Sequence, residues 1–196
     1  RDIRDLAERH GIRPTKALGQ NFLVDPNLAR AIADLAGAAP GVRVVEVGAG
    51  LGSLTVALAD AGASVLAIEF DRNLVPALRE VVGDLPGVHV EVADAMRADW
   101  YALLGDGPWT FASNLPYNVA TPLVCDLLDG VPGIRRMLVM VQLEAAERFY
   151  TQVLGLEPFA KVHGRHLFFR LGDGMFLLFD TRETSKATRC STARCG

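Results

Sequence analysis

The sequence predicts an α/β domain built on a mostly parallel sheet, and three observations predict it. Short β-branched runs alternate with helical patterns from Val42 to about Leu143. The first of those runs leads straight into three alternating glycines and then a helix. The later runs end on acidic or amide side chains, at the carboxyl edge where open α/β sheets bind ligands.

Taken in order, the elements begin with Asp25, which caps a helix over Asn27–Leu35 with Pro26 at its first position. Strands are predicted over Val42–Val47, Ser64–Glu69, Val88–Val92, Trp109–Ser113 and Arg136–Val141. Between them, Ser53–Ala61, Arg72–Val82 and Ala120–Leu128 carry apolar spacing that suits helices. Glu144–Leu154 reads as a further helix stopped by Gly155. His166–Leu171 and Met175–Phe179 read as a hairpin joined through Gly172, Asp173 and Gly174. After Asp180 apolar residues almost vanish, so a disordered tail is expected.

Composition narrows the function classes. The 196 residues are half hydrophobic and 22% charged, which suits one globular domain with a small appendage. No apolar run approaches the roughly 18–20 residues of a membrane-spanning helix, and Arg1–His10 is charged, so a soluble, cytoplasmic protein without membrane association is expected. The chain opens on Arg1 rather than Met, which suggests a start inside a longer gene product. Cys125, Cys190 and Cys195 are odd in number and not spaced as ligands, so neither metal nor disulfide is expected. The formal net charge of −3 argues against wrapping nucleic acid by charge alone. Arg9, Arg13 and Lys16, and separately Arg135 and Arg136, remain as local basic clusters.

The strongest local feature is the glycine turn, Val47-Gly48-Ala49-Gly50-Leu51-Gly52. Glycines let the backbone turn tightly and approach a ligand, while the helix behind offers free N–H groups. Dinucleotide enzymes carry a similar turn, but their third glycine falls three positions after the second, and here it falls two after. Glu69 ends the next strand, about 20 residues on, where a carboxylate accepts from ribose hydroxyls. Asp94 ends the third and can accept from the exocyclic amine of a bound adenine.

Ser113-Asn114-Leu115-Pro116-Tyr117-Asn118 follows the fourth strand and decides against nicotinamide chemistry. The exocyclic nitrogen of adenine is a poor nucleophile because its lone pair is delocalised into the ring. Hydrogen bonds from its protons to the Asn114 side-chain oxygen and the Leu115 carbonyl would localise that pair and aim it in line at a methyl donor. Pro116 stiffens the turn and biases Leu115 to extended backbone. Tyr117 offers a face for a base to stack on, a contact worth roughly 1–3 kcal/mol. A base embedded in a duplex would have to be flipped out to reach it.

With these residues, the chain resembles the ribosomal RNA adenine dimethyltransferases that modify two adjacent adenines near the 3′ end of small-subunit rRNA. The resemblance runs from about Lys16 to Phe149 and includes Leu18-Gly19-Gln20-Asn21-Phe22-Leu23, the glycine turn, Ile68-Glu69, Asp94-Ala95-Met96, Asn114–Asn118 with Thr121-Pro122-Leu123, and Val139–Glu144. It implies a class I S-adenosylmethionine-dependent, Rossmann-like sheet. S-adenosylmethionine would be held by Asn21, Leu23, Gly48, Gly50, Glu69, Asp94 and Asn114. Asn114, Leu115, Pro116 and Tyr117 would form the catalytic turn. The implied partner is small-subunit rRNA or a pre-30S particle, met by a monomer. Two alternatives stand beside it: a non-catalytic RNA-binding remnant, and a large-subunit rRNA adenine methyltransferase of the macrolide-resistance type.

The pattern breaks after Phe149, where the family's Phe-Pro-Pro-Lys-Val loop and C-terminal helical domain are absent from the sequence. Ala145–Glu157 and the hairpin instead resemble part of a vicinal-oxygen-chelate module, as in glyoxalase and bleomycin-resistance proteins. His163 and His166 lack the acidic partners that module's metal would need. The division expected is a helical segment over 1–40 that covers the cofactor site, a methyltransferase core over 41–149, an out-of-family helix end and hairpin over 150–180, and a disordered tail over 181–196. Glu144–Phe179 is expected to take the place of the missing sheet edge.

Overall fold

The computed structural model describes residues 3–12, 23, 25–140, 158–162, 166–171 and 174–179. Among the described residues two helices precede the sheet, α1 (Ile3–Arg9) and α2 (Pro26–Ala36). α2 starts where the Asp25 side chain accepts the Asn27 N–H, 2.9 Å away, with Pro26 in the turn that has no partner for its missing N–H. It stops at Gly37, whose φ of 73° is left-handed, and the Arg136 guanidinium donates to the carbonyl of Ala36.

There follow β1 (Arg43–Val47), α3 (Ser53–Asp60), β2 (Ser64–Glu69), α4 (Val75–Val82), β3 (Val88–Val92), α5 (Trp100–Leu104), β4 (Trp109–Asn114), α6 (Tyr117–Gly130) and β5 (Ile134–Met140). The five strands form one sheet in the order β3-β2-β1-β4-β5, and every neighbouring pair is parallel. β1 lies at the centre. The chain reverses direction across the sheet between β3 and β4, so β1 and β4 flank the switch point where ligands enter such sheets.

Because both faces are covered, β1 is buried along nearly its whole length rather than alternating with solvent. Val45 and Val47 join Phe111 and the buried face of α6, including Leu123 and Leu127. Val44 points the other way, into a core shared with Ile32 and Ala33 of α2, Leu58 of α3 and Leu78 of α4. A third cluster seats Leu6 of α1 on Leu51, Leu74 and Ala77.

β5 begins at Ile134, two residues before its predicted start, and three helices also differ from the sequence prediction. α5 was not anticipated; at five residues it is too short for a periodic signal, and the Asp99 side chain capping its start is its main local cue. α4 begins at Val75 rather than Arg72, because the Asp71 side chain accepts the Asn73 N–H and holds a turn there. α6 begins at Tyr117 rather than Ala120, since Pro116, with φ −55° and ψ 139°, delivers the chain directly into its first turn.

Beyond β5, β6 (Pro158–Val162), β7 (His166–Leu171) and β8 (Gly174–Phe179) form an antiparallel sheet in that order. The two-stranded hairpin expected over 150–180 is corrected to three strands. β6 is short and opens on proline, which hides its pattern. β8 lies next to β5. The helix predicted over Glu144–Leu154 and the tail over 181–196 lie outside the described residues. Among the described residues no helix is long and apolar enough to cross a membrane.

Candidate functional site

The carboxyl ends of β1, β2, β3 and β4 open onto one cleft, lined by Gly48, Gly50, Glu69, Asp94, Asn114 and Leu115 among others. The glycine turn is held from β2. The N–H groups of Gly48 and Ala49 donate to the Ile68 carbonyl at 2.8 and 3.3 Å, and the Gly50 N–H donates to Glu69 Oε2 at 2.7 Å. The other oxygen of Glu69 accepts the Asp71 N–H at 2.7 Å. Glu69 is thereby fixed at the strand tip with its remaining lone pairs free to take further donors. Burial pushes its carboxyl up, and the backbone donors Asp71, Gly50 and Phe70 pull it back.

Asp94 follows β3, its Oδ1 accepting the Met96 N–H at 3.0 Å and its Oδ2 lying 3.7 Å from Arg97 Nε. Asn114 is the last residue of β4, in register with Met140 of β5. Ser113 just before it is fully buried and donates its hydroxyl to the Val47 carbonyl, stitching β4 to β1 where the two site loops leave the sheet. The Leu115 N–H donates to the Met140 carbonyl at 3.3 Å, and the Pro116 carbonyl accepts the Val119 and Ala120 N–H groups. Leu23 also lines the cleft. Asn21 and the Tyr117 side chain lie outside the described residues.

The two loops pack on each other at Gly48. Its φ of +74° is left-handed, and a Cβ there would sit 2.8 Å from Leu115 Cδ2. Gly48→Ala is therefore expected to cost about 1–3 kcal/mol, from the backbone penalty plus displacement of Leu115. A thermal melt would register a lowered Tm; an unchanged Tm would mean the loops are not in contact.

Sequence reading missed Glu46. It is 2% exposed on β1 and also lines the cleft, and the buried Thr55 hydroxyl on α3 donates to its Oε2 at 2.6 Å. Burial pushes the Glu46 carboxyl up to about 8, the Thr55 hydrogen bond opposes this, and Glu69 nearby adds to it. The available cue was an acid inside the apolar run Val44–Val47, on a central strand with no solvated side.

That carboxyl fixes a pH dependence. Its folded value lies above the unfolded 4.5, so the native state holds the extra proton between the two and stability falls as pH rises from 4.5 through about 8. Glu69 is raised too and acts in the same direction. The ligand-free chain is expected to melt at lower temperature at pH 9 than at pH 6, with a flatter profile for Glu46→Gln. Parallel profiles for the two proteins would contradict this origin.

Among the described residues no group of acids, histidines and cysteines could hold a metal ion. Of the basic residues noted in the sequence, Arg9 and Arg136 have local partners, while Arg13 and Lys16 lie outside the described residues. Arg9 and His10 both contact the Glu80 carboxylate, pulling it below its usual range, and Arg136 caps α2.

A parallel sheet ordered β3-β2-β1-β4-β5, with a glycine turn after β1 and an acid at the tip of β2, is the class I S-adenosylmethionine-dependent methyltransferase fold. Residues 12–153 match the family described as ribosomal RNA adenine dimethylase, and the chain belongs to that family. Ribosomal RNA small subunit methyltransferase A of Magnetococcus marinus is 44% identical over 165 residues, covering 83% of this chain and 57% of that protein. Its counterpart in Nocardia farcinica is 46% identical over 168 residues, covering 83% and 55%. The chain thus spans about half the length of the curated relatives it matches. Among solved structures, the 23S rRNA methyltransferase ErmE is similar with a TM-score of 0.58 at 30% identity, covering 74% of this chain and 53% of ErmE.

Proposed function

We propose that the chain is the catalytic core of an enzyme that transfers methyl groups from S-adenosylmethionine to N6 of two adjacent adenines near the 3′ end of small-subunit rRNA. The observation that carries this reading is the packing of the glycine turn against the Asn114–Pro116 turn in one cleft, with Glu69 and Asp94 at its other strand tips. The residues fit the cofactor: the Gly48–Gly50 backbone lines the cleft, and Glu69 keeps acceptor capacity for a ribose hydroxyl beyond its backbone donors. Asp94 would accept the adenine amine, while Leu23, Gly50 and, from the family pattern, Asn21 would complete the enclosure.

The cofactor supplies an electrophilic methyl group on a sulfonium. The protein's part is orientation. Asn114 and the Leu115 carbonyl would accept the two protons of the target amine and turn its lone pair toward the cleft. Pro116 holds the Leu115 carbonyl in place, and Tyr117 would stack on the base. No strong base is required, since the proton is lost readily once the nitrogen carries the new methyl. The small-subunit reading is preferred over the large-subunit one because the relatives at 44% and 46% identity carry the small-subunit name, whereas ErmE stands at 30%. The reading extends to a monomer acting in the cytoplasm on small-subunit rRNA or a pre-30S particle, without metal.

The test is methyl transfer from labelled S-adenosylmethionine to small subunits that lack the modification and, in parallel, to large-subunit RNA, followed by nucleoside analysis. Label in N6,N6-dimethyladenosine is expected. Label appearing instead on large-subunit RNA would replace this substrate with the other.

A further inference from the structure

The described lining of the cleft carries four carboxyl side chains, Glu46, Glu69, Asp71 and Asp94, and no Lys, Arg or His. Such a cleft favours a cation, and the donor and product of the proposed reaction differ by one positive charge: the sulfonium becomes a neutral thioether once its methyl has gone. Of the four, Glu46 is the most enclosed. Among the described residues its carboxyl has one hydrogen-bond partner, the Thr55 hydroxyl, and no cation beside it. Glu69, by contrast, is anchored by backbone donors, and Asp94 has both a backbone donor and Arg97 nearby. A buried carboxyl without a countercharge is held in its neutral form, and a cation arriving in the same cleft favours the ionised one.

We propose that Glu46 couples binding of the cationic donor to release of one proton, so that the cleft distinguishes the sulfonium donor from the thioether product. This rests on the function proposed above. The charged groups that share the cleft with Glu46 are Glu69 and Asp71 from the β2 end and Asp94 from the β3 end, and of these Glu69 acts on it directly. α3 and β4 present the uncharged Thr55 and Asn114. Burial, and after it the Glu69 charge, oppose ionisation of Glu46 until a positive charge enters. Because burial holds the ligand-free carboxyl at about 8, the proton is present at neutral pH and available to leave. Once the methyl has been transferred the charge is gone, Glu46 regains its proton, and the product is held less tightly than the donor.

The experiment is calorimetric titration of the whole chain with S-adenosylmethionine and, separately, S-adenosylhomocysteine at pH 7, in buffers of different ionisation enthalpy. The dependence of the heat on buffer counts protons exchanged. Wild type is expected to release close to one proton per sulfonium bound and roughly none per thioether. Its preference for the donor should rise about 25-fold between pH 6.5 and 8.5, roughly tenfold per pH unit until the ligand-free carboxyl begins to ionise near 8. Glu46→Gln, which keeps the shape and cannot ionise, should bind both ligands with no proton release and no pH-dependent preference. Thr55→Val, which removes the one donor favouring the ionised form, should move the half-release pH upward. Binding of the donor without proton release, or equal release by Glu46→Gln, overturns the inference and leaves the cofactor assignment standing. No binding by folded wild type overturns both.

Discussion

Asn114→Ala is expected to abolish methyl transfer and also to weaken cofactor binding, since the same side chain is assigned to the catalytic turn and to the cofactor site. The side chain ends β4, directly after the buried Ser113 hydroxyl fixes that strand to the Val47 carbonyl, so its position is set by the sheet rather than by a loose loop. Losing one preorganised acceptor aimed at developing charge typically costs about 10²–10³ in rate. The cost here should reach the upper end or beyond, because the target nitrogen has no lone pair to offer until its protons are held. Single-turnover transfer, measured with saturating cofactor, isolates the effect. Should Asn114→Ala transfer within tenfold of wild type, the orientation role would be wrong, and the Leu115 carbonyl alone would have to carry it.

Glu69→Ala is expected to weaken S-adenosylmethionine binding at least about tenfold, from the loss of a hydrogen bond to a charged acceptor at roughly 1.5–3 kcal/mol. The structure adds a second contribution. Glu69 Oε2 accepts the Gly50 N–H, so the same substitution frees the glycine turn on its β2 side. Glu69→Gln separates the two. The amide keeps an acceptor for Gly50 but loses the charge and one acceptor, so its binding should fall between wild type and alanine. Equal losses in both variants would assign the whole effect to ribose recognition; wild-type affinity in Glu69→Gln would assign it to the turn.

Most of the core was legible because its signals are local. Strand β2 was read at its observed limits, and β1 and β4 within a residue of theirs, since β-branched runs bounded by turn residues leave little choice. The register of the strands then brings Gly48, Glu69, Asp94 and Asn114 to one edge, which the sequence implies only through their shared position at strand ends. What stayed hidden depends on tertiary contact. α5 is a five-residue helix held by Trp100 Nε1 donating to the Ala95 carbonyl, an interaction without a periodic trace. The contact between Gly48 and Leu115 joins residues far apart in the chain, and nothing in either segment announces it. Glu46 was passed over because one acid in a valine run looks like noise until its burial and its bond to Thr55 are seen. In the carboxyl segment, β7 and β8 were marked by apolar runs around a glycine turn, whereas β6 was masked by its opening proline.

Whether this cleft takes S-adenosylmethionine is answered by titration of that cofactor into the purified chain. Saturable binding at a single site is expected from a chain that melts cooperatively, with affinity much reduced in Glu69→Ala. A folded wild-type chain that takes up no S-adenosylmethionine would contradict the assignment.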